Sequence, residues 1–421
     1  MQLFDVPPGW KSVPMWSVAA RKDRKGYSDA ELLSVYREYG VIRKSDRDDN
    51  HNVESEDLSN YKFVRKGDLV LNKMKTWQGS LGVSPYEGIV SPAYYVCELS
   101  KDLHAPYIHY LLRSAPYIAM YGARSKGIRI GQWDLPYEEF REIPVLVPPI
   151  EEQRRISDYL DRKLEVIDRL IIKKQDQIRN LREYFESSML VEIFGENAKE
   201  IRNIHSSPSY NNSYLRFLDH ETKISPFKDV FRFKKVQNQD PDPRILSLTK
   251  HGIVERDISK NEGQIAYSYD NYAVATIGDF VLNPMDLRAG SVAISNLTGV
   301  VSNAYFVFEI REMHKNVFDS KYCEYMLRSS YLKDIFYCHG TGLGRPEEGG
   351  GGRWTLSKET LSNFPFPTPS YEKQISIRKV LTSLEENYRS SLATIELVIL
   401  KLKELKTSLI TESVLRGSEL K

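Results

Sequence analysis

The stretch Pro148-Pro149-Ile150-Glu151-Glu152-Gln153 opens a long charged segment in which apolar residues recur at steps of three, four or seven. Those residues are Leu160, Leu164, Ile167, Ile171, Ile178, Leu181 and Phe185. This spacing is typical of a coiled-coil seam. It predicts a helix of about 40 residues, which at about 1.5 Å per residue is roughly 60 Å long. Because a helix cannot bury its own apolar stripe, this one needs a partner.

A second stretch near the end of the sequence supplies that partner. It opens with Pro369-Ser370-Tyr371-Glu372-Lys373-Gln374, and its seam residues are Leu381, Tyr388, Leu392, Ile395, Ile399, Leu402 and Leu409. Glu385 and Lys406 stand where the first segment has Leu164 and Phe185. We therefore predict that two long helices pair as an antiparallel coiled coil.

The sequence ahead of each long segment is duplicated. Gly67-Asp68-Leu69-Val70-Leu71-Asn72-Lys73-Met74 recurs as Gly278-Asp279-Phe280-Val281-Leu282-Asn283-Pro284-Met285. Between residues 67–98 and 278–309, 16 of 32 positions are identical without a gap. Gly131–Leu135 matches Gly352–Leu356 further along. Identity at this level indicates an internal duplication.

The patterns within each copy predict a mixed structure. Alternating apolar runs at residues 68–72 and 90–96 predict β-strands, and Tyr107 to Tyr121 predicts a helix. The fold class is α+β, with two globular units, two long antiparallel helices and an internal pseudo-two-fold repeat. The predicted segments are globular units at 1–147 and 226–368, long helices at 148–196 and 369–421, and a polar linker at 197–225.

Composition limits the function classes without choosing one. The 421 residues carry 59 Lys and Arg against 57 Asp and Glu, and a net charge of +2 does not by itself predict a nucleic-acid binder. A local basic face stays open. No apolar run approaches the roughly 18 residues of a membrane span, so we expect a cytoplasmic protein. The three cysteines form no C-x-x-C pair, so we expect reduced thiols.

No catalytic motif is complete in the sequence. Gly340-Thr341-Gly342-Leu343-Gly344 resembles a nucleotide loop but lacks the strand-to-helix context. Asn283-Pro284-Met285-Asp286 begins like the N-P-P-Y signature of adenine methyltransferases, yet its duplicate reads Asn72-Lys73-Met74-Lys75. The histidines show no metal-ligand spacing. We therefore expect a chain without catalysis, metal or cofactor of its own, whose chemistry resides in a partner.

The turn after Asn72 differs between the copies while its surroundings agree. The first copy has Lys73, Lys75, Thr76, Trp77 and Gln78 where the second has Pro284, Asp286, Leu287, Arg288 and Ala289. If two units do one kind of job on different targets, the agreeing residues hold the scaffold and the differing residues read the target. Arg or Lys on guanine and Gln or Asn on adenine suit base reading. Unconstrained drift of a hairpin turn is the alternative.

Basic residues elsewhere in each copy extend the candidate DNA-binding set. The full set is Lys73, Lys75, Thr76, Trp77, Gln78, Arg124, Lys126, Arg129, Asp286, Arg288, Arg345 and Arg353. The arginines and lysines could clamp phosphates or form a merely solvated surface. Trp133 and Trp354, which lie between Gly and Leu residues in both copies, are expected to be structural.

The whole pattern resembles the specificity (S) subunit of type I restriction-modification systems. The resemblance rests on P-P-x-E-x-Q before a long helix, found twice, each time after a unit with G-D-x-V-x-N-x-M and S-x-A-Y. Glu151-Glu152-Gln153 and Glu372-Lys373-Gln374 match the family's central and C-terminal conserved segments, while Pro369-Ser370-Tyr371 departs from the double proline.

The resemblance implies a DNA reader that catalyses nothing. Each globular unit would be a target recognition domain for one half of a bipartite asymmetric site in double-stranded DNA, and the helices would set the gap. Two modification subunits would methylate adenine, and a separate restriction subunit would cleave. S-adenosylmethionine, ATP and Mg²⁺ would bind on those partners. The predicted partner and spacer residues are Gln153, Gln374 and the seam residues Leu160, Leu164, Ile167, Ile171, Ile178, Leu181, Leu381, Tyr388, Leu392, Ile395, Ile399, Leu402 and Leu409.

Two other functions fit parts of the sequence. A duplicated protein adaptor would use the helices for assembly and have no role on DNA. A self-sufficient methyltransferase would have to bind the methyl donor itself. The sequence favours the DNA reader over both.

Overall fold

The structure is a computed structural model that describes residues 5–46, 57–127, 133–195, 222–249, 252–257, 268–285, 292–329, 332, 336, 339–342 and 354–417. The chain divides into two compact units. The first unit comprises Met1–Gln175 with Glu396–Lys421, and the second comprises Asp176–Ile395. Each unit therefore contains a globular part and a segment of both long helices.

The globular part of the first unit is built from short strands followed by short helices. Its elements are β1 (Lys11–Pro14), β2 (Ala19–Arg21), β3 (Leu33–Tyr36), β4 (Gly40–Arg43), β5 (Lys62–Val64), β6 (Leu69–Asn72), β7 (Leu81–Val83), β8 (Gly88–Val90), β9 (Tyr94–Leu99), α1 (Ala105–Leu112), α2 (Ala115–Arg124), α3 (Tyr137–Arg141) and β10 (Pro144–Val147). The long helix α4 (Ile150–Phe194) follows.

The centre of the first unit is an antiparallel sheet in the order β2-β9-β6-β7. The pairs β1-β10, β3-β4 and β5-β8 surround it. One face of the central sheet packs on α1, α2 and the start of α4, where Leu69, Leu71 and Leu111 are fully buried. The other face, which includes Val70 and Val96, packs on the β3-β4 hairpin. The sheet is thus covered on both faces, which explains its continuous apolar strands.

The second unit repeats this topology strand for strand. Its elements are β11 (Lys223–Pro226), α5 (Phe227–Val230), β12 (Phe231–Phe233), β13 (Leu246–Thr249), β14 (Gly252–Glu255), β15 (Ala273–Ala275), β16 (Phe280–Leu282), β17 (Val292–Ile294), β18 (Gly299–Val301), β19 (Phe306–Ile310), α6 (Ser320–Arg328), α7 (Lys358–Ser362), β20 (Pro365–Thr368) and the long helix α8 (Tyr371–Arg416). The central sheet has the order β12-β19-β16-β17, and β11-β20, β13-β14 and β15-β18 are paired. The predicted α+β class and internal repeat are confirmed.

The duplicated Gly-Asp pair has the same physical role in both units. Gly67 and Gly278 both have a φ of 93°, a backbone conformation that glycine adopts without strain. The buried Asp68 carboxylate accepts hydrogen bonds from the Arg24 guanidinium at 2.7 Å and the Arg65 N–H at 2.8 Å. Asp279 accepts in the same way from Lys234 and Thr276. The pair therefore fixes the turn into β6 and β16.

Three sequence-based assignments need correction. The single helix predicted at residues 107–121 is two helices, α1 and α2, because a new helix begins at Ala115 with Pro116 in its first turn. The strand predicted at residues 90–96 is interrupted by a turn between β8 and β9. Residues 223–225 of the predicted linker belong to β11, which pairs with β20. A four-residue edge strand that ends in proline carries no alternating signal.

The two long helices pack on each other in the first unit. Lys406 donates to both Asp168 oxygens at 2.7 and 2.8 Å, and Gly417 lies against the side chains of Trp10 and Glu152. These contacts pair the start of α4 with the end of α8, so the segments run antiparallel, as predicted. The seam residues Leu160, Leu164 and Ile167 are buried in the core of this unit, and Ile171, Leu402 and Leu409 pack against it. None of the helices that the structure describes is both long and apolar enough to cross a membrane.

In the second unit the seam joins the same helices in a different chemical environment. Phe185 of α4 stacks on Tyr388 of α8 with ring centroids 4.7 Å apart. Leu381 and Leu392 are buried, while Ile178, Leu181 and Ile395 are half-buried. Ile399, which belongs to the first unit, is half-buried as well. The position that sequence comparison equates with Leu164 is Glu385, which faces α6. The predicted seam therefore holds an acidic residue that needs partners.

Glu385 finds those partners within its own unit. Its carboxylate accepts from Arg389 at 2.8 Å, the Tyr325 hydroxyl at 2.9 Å and Arg328 at 3.2 Å, and Lys321 lies 3.5 Å away. Burial alone would raise the pKa of Glu385, but the three cations and the hydroxyl outweigh it and lower the pKa to about 2. The carboxylate thereby joins α6 to α8.

A buried glutamine joins each globular part to the beginning of its long helix. The Gln153 amide donates to the carbonyls of Pro148 at 2.9 Å and Asp102 at 3.3 Å, and its oxygen accepts from the His104 N–H at 2.8 Å. Gln374 makes the equivalent bonds to Pro369, Val317 and Asp319 at 2.9, 3.0 and 2.9 Å. Both residues lie on the predicted partner and spacer helices, and each connects its helix to the globular part of its own unit.

We expect Gln153→Leu to lower the free energy of unfolding of the first unit by about 2–4 kcal/mol. The substitution leaves a buried N–H and two carbonyls without partners. Chemical denaturation in a Trp354→Phe background, followed by tryptophan fluorescence, measures this unit, since the remaining tryptophans Trp10, Trp16, Trp77 and Trp133 all belong to it. The matched control is Gln175→Leu, which changes an exposed glutamine of the same helix and should cost less than about 0.5 kcal/mol. Equal effects of the two substitutions would contradict the role assigned to Gln153.

The Glu385 cluster predicts a specific loss of stability in acid. Because the folded-state pKa of about 2 lies below the ordinary value of 4.5, the stabilisation is complete above about pH 4.5 and is lost as the pH falls toward 2. We expect the free energy of unfolding of the native chain to exceed that of Glu385→Gln by about 1–2 kcal/mol at pH 7, allowing for solvent screening. This difference in stability should shrink below pH 4.5. Glu386→Gln, at an exposed neighbouring position, is the control. A stability difference that does not change with pH would contradict the ion pairs assigned to Glu385.

Candidate nucleic-acid interface

The turn after β6 is held by hydrogen bonds from a single asparagine. The Asn72 side-chain oxygen accepts from the Met74 N–H at 3.2 Å, and its carbonyl accepts from the Lys75 N–H at 2.9 Å and the Thr76 hydroxyl at 2.7 Å. Residues Thr76–Gln78 then form one 3₁₀ turn, which ends at Gly79 with a φ of 95°. The turn is therefore rigid up to its tip.

A second loop is hydrogen-bonded to this turn. Lys126 and Asp134 pair as a short antiparallel bridge, and the Leu135 N–H donates to the Lys73 carbonyl at 3.0 Å. The Lys73 ammonium lies 3.2 Å from an Asp134 oxygen. The Trp77 and Trp133 rings are 5.2 Å apart. The structure thus brings the candidates at 73–78 and those at 124–126 onto one surface of the first unit.

The candidate DNA-binding residues on this surface differ in their exposure and in the partners they already have. Thr76 is fully buried with its hydroxyl bonded to the backbone, so its assignment as a base-reading residue is wrong and it belongs to the scaffold. Trp77 is half-buried and its indole N–H donates to the Met74 carbonyl at 3.0 Å. Gln78 is half-buried. Lys75 is exposed and makes no ion pair with the residues that the structure describes.

Arg124 and Lys126 share one carboxylate. Lys126 donates to Glu139 at 2.8 Å, and the Arg124 guanidinium lies 3.8 Å from the other oxygen of that carboxylate. The hydrogen bond from Lys126 lowers the pKa of the Glu139 carboxyl. Both cations stay near the surface, where an exposed ion pair of this kind is weak. A phosphate could therefore replace Glu139 as the partner of either cation at little cost.

The second unit has the same loop arrangement. Thr341 and Thr355 form the bridge that corresponds to Lys126 and Asp134, and the Leu356 N–H donates to the Pro284 carbonyl at 3.0 Å. The candidates Arg129, Asp286, Arg288, Arg345 and Arg353 lie outside the described residues. Their assignment as DNA-binding residues stays a prediction.

Two exposed methionines at this site were overlooked by sequence reasoning. Met74 and Met285 are 54% and 47% exposed, although their identity in both copies suggested a scaffold role. The sequence alone does not show exposure, because exposure depends on the tertiary fold. The one sign in the sequence was that both copies have methionine at this position while the neighbouring residues differ. No group of three or more His, Cys, Asp or Glu side chains among the described residues could hold a metal ion.

Solved structures resemble the chain, although no protein-family model matches its sequence. It is similar over 98% of its length, and 99% of the other chain, to a protein in a structure concerned with complex assembly and conformational transition of the type I R-M system, with a TM-score of 0.64 and 15% identity. The HsdS subunit from Thermoanaerobacter tengcongensis matches over 98% of both chains, with a TM-score of 0.48 and 16% identity. A type I restriction-modification S subunit from M. genitalium matches over 97% of this chain and 96% of its own, with a TM-score of 0.35 and 11% identity.

The first of these similarities shows a shared fold, because it spans nearly the whole of both chains. The resemblance to the type I restriction-modification family that the sequence predicted is therefore confirmed at the level of fold.

Proposed function

We propose that this chain is the DNA sequence-recognition subunit of a type I restriction-modification complex. Each unit reads one half of a bipartite, asymmetric site in double-stranded DNA, and the long helices set the gap between the halves. In this proposal the chain catalyses no reaction. Two modification subunits methylate adenine, a restriction subunit cleaves, and S-adenosylmethionine, ATP and Mg²⁺ bind on those partners.

The observation that carries the proposal is the repetition of one topology with different residues on the same turn. The scaffold elements Gly67, Asp68 and Asn72 recur as Gly278, Asp279 and Asn283 with the same hydrogen bonds. Apart from the shared methionine, the residues at 73–78 and 284–289 differ in charge and size. Two copies of one scaffold that carry different side chains at one place suit the recognition of two different half-sites.

The helices of the first unit offer apolar surface to partner subunits. Val166 and Leu170, one turn apart on α4, are 46% and 42% exposed. Leu397 and Leu400 on α8 are 55% and 52% exposed. Exposed apolar side chains one turn apart on a helix are a common feature of protein interfaces. This surface fits the docking of a modification subunit.

Salt dependence separates a DNA reader from a protein adaptor. For the chain in complex with its modification subunits, we expect the logarithm of DNA affinity to fall linearly with the logarithm of salt concentration. Lys75→Ala should reduce that slope by about 1, because one phosphate contact is lost. Lys101→Ala is the control, since this exposed lysine follows the end of β9 that lies away from the turn. Binding without salt dependence or sequence preference would support the adaptor instead.

Lengthening both helices tests the role assigned to them. Seven residues inserted after Lys174 and seven after Ile395 keep the seam in phase and add about 10 Å of helix. We expect the gap between half-sites to grow by about 3 base pairs while each half-sequence stays the same. Mapping methylated adenines in cells that express this variant with its partners measures both. Altered half-sites with an unchanged gap would refute the role of the helices as a spacer.

A further inference from the structure

Met74 and Met285 occupy the same place in the two units and are exposed in both. Each follows the turn asparagine by two residues, and each exposes about half of its surface, 54% and 47%. Methionine is an apolar residue that is normally buried. Neither residue belongs to a hydrophobic core cluster of its unit. Packing therefore does not explain why both copies have methionine at this place.

The backbone around each methionine is fixed in the same way. The Met74 N–H donates to the Asn72 side chain at 3.2 Å, and the Met285 N–H donates to the Asn283 side chain at 3.1 Å. The preceding carbonyls of Lys73 and Pro284 both accept from a leucine N–H at 3.0 Å. The two side chains thus leave equivalent, rigid points of the two scaffolds.

The residues on either side of each methionine have diverged. Lys73 and Lys75 flank Met74, whereas Pro284 and Asp286 flank Met285. Under the proposed function, these neighbours vary because the half-sites differ. An exposed residue that is the same in both copies, among neighbours that differ, is suited to something that both half-sites share. Base sequence is not shared, but adenine methylation is.

Methylation imposes one requirement on every half-site. The target adenine must leave the base stack to reach the active site of the modification subunit, which costs a few kcal/mol. Proteins that open base steps commonly insert an apolar side chain such as methionine between them. The long, unbranched thioether of methionine adapts to a gap between bases.

We infer that Met74 and Met285 are wedges that enter the DNA stack beside the target adenine of each half-site. This inference rests on the proposed function and adds a common step to it. The wedge of each unit acts on its own half-site, since each unit reads one. The residues that read bases and the residue that opens the stack therefore lie on the same turn.

Methyl transfer measured at each half-site separately tests the inference. The complex of the chain with its modification subunits is given DNA in which the other half-site is already methylated. Met74→Ala should slow single-turnover transfer at the half-site of the first unit about tenfold or more, and Met285→Ala should do so at the other. Met74→Leu keeps the apolar bulk and should stay within a few-fold of the native rate.

A mismatch opposite the target adenine distinguishes a wedge from a merely structural residue. Because an unpaired adenine leaves the stack more easily, the mismatch should restore most of the rate lost in Met74→Ala. Met313→Ala is the control, because Met313 is 78% exposed and lies in the 3₁₀ turn Glu312–His314, after β19 and away from the site. It should leave both half-sites unchanged.

The outcomes separate the inference from the proposed function. Native rates in Met74→Ala and Met285→Ala, equal losses at both half-sites from one substitution, or no rescue by the mismatch would overturn the wedge alone. A native complex that methylates no adenine would overturn the proposed function and the wedge together.

Discussion

Each long helix is anchored to its globular part by one buried side chain that pairs with three backbone groups. Gln153 and Gln374 are 1% and 0% exposed, and each bonds to the loop before a short helix and to the proline two residues before its own long helix. A glutamine satisfies two carbonyls and one N–H at once, which no apolar residue can do. Because a lost partner would leave buried polar groups unpaired, the direction of each helix is fixed relative to the sheet beside it. The turn that follows the central strand of that sheet is therefore held in place relative to the helix.

The duplication separates the residues that hold the scaffold from those that can vary. Gly67, Asp68 and Asn72 keep their roles in both units because a positive φ, a buried carboxylate and a turn amide each have few substitutes. The exposed and half-buried residues of the turn after Asn72 have no such constraint, and most of them differ from their counterparts after Asn283. Glu385 and Lys406 show the same principle in the helices. Each stands where the first long segment has an apolar seam residue. Arg328 pairs with Glu385, and Asp168 pairs with Lys406.

The sequence predicted the long helices, the strands near the duplicated motif and the repeat, because period and identity are local signals. It did not predict the break at Ser114, although Pro116 marked it, or the edge strand at 223–226. It placed Thr76 among the candidate base-reading residues, because the burial of Thr76 depends on contacts with distant residues that a local pattern does not reveal. Two of the three Gln153 partners, Asp102 and His104, lie about 50 residues earlier in the chain, so the sequence showed the glutamine only as part of a motif. Met74 was treated as scaffold because agreement between copies does not distinguish buried from exposed positions.

The central claim is that one chain reads two half-sites for partners that act on adenine. Mapping methylated adenines across the genome of cells that express the native chain with its neighbouring genes tests it most directly. We predict one methylated motif with two short defined parts, separated by a fixed stretch of undefined sequence, and the loss of this methylation when the chain is deleted. A continuous motif, or methylation that persists without this chain, would contradict it.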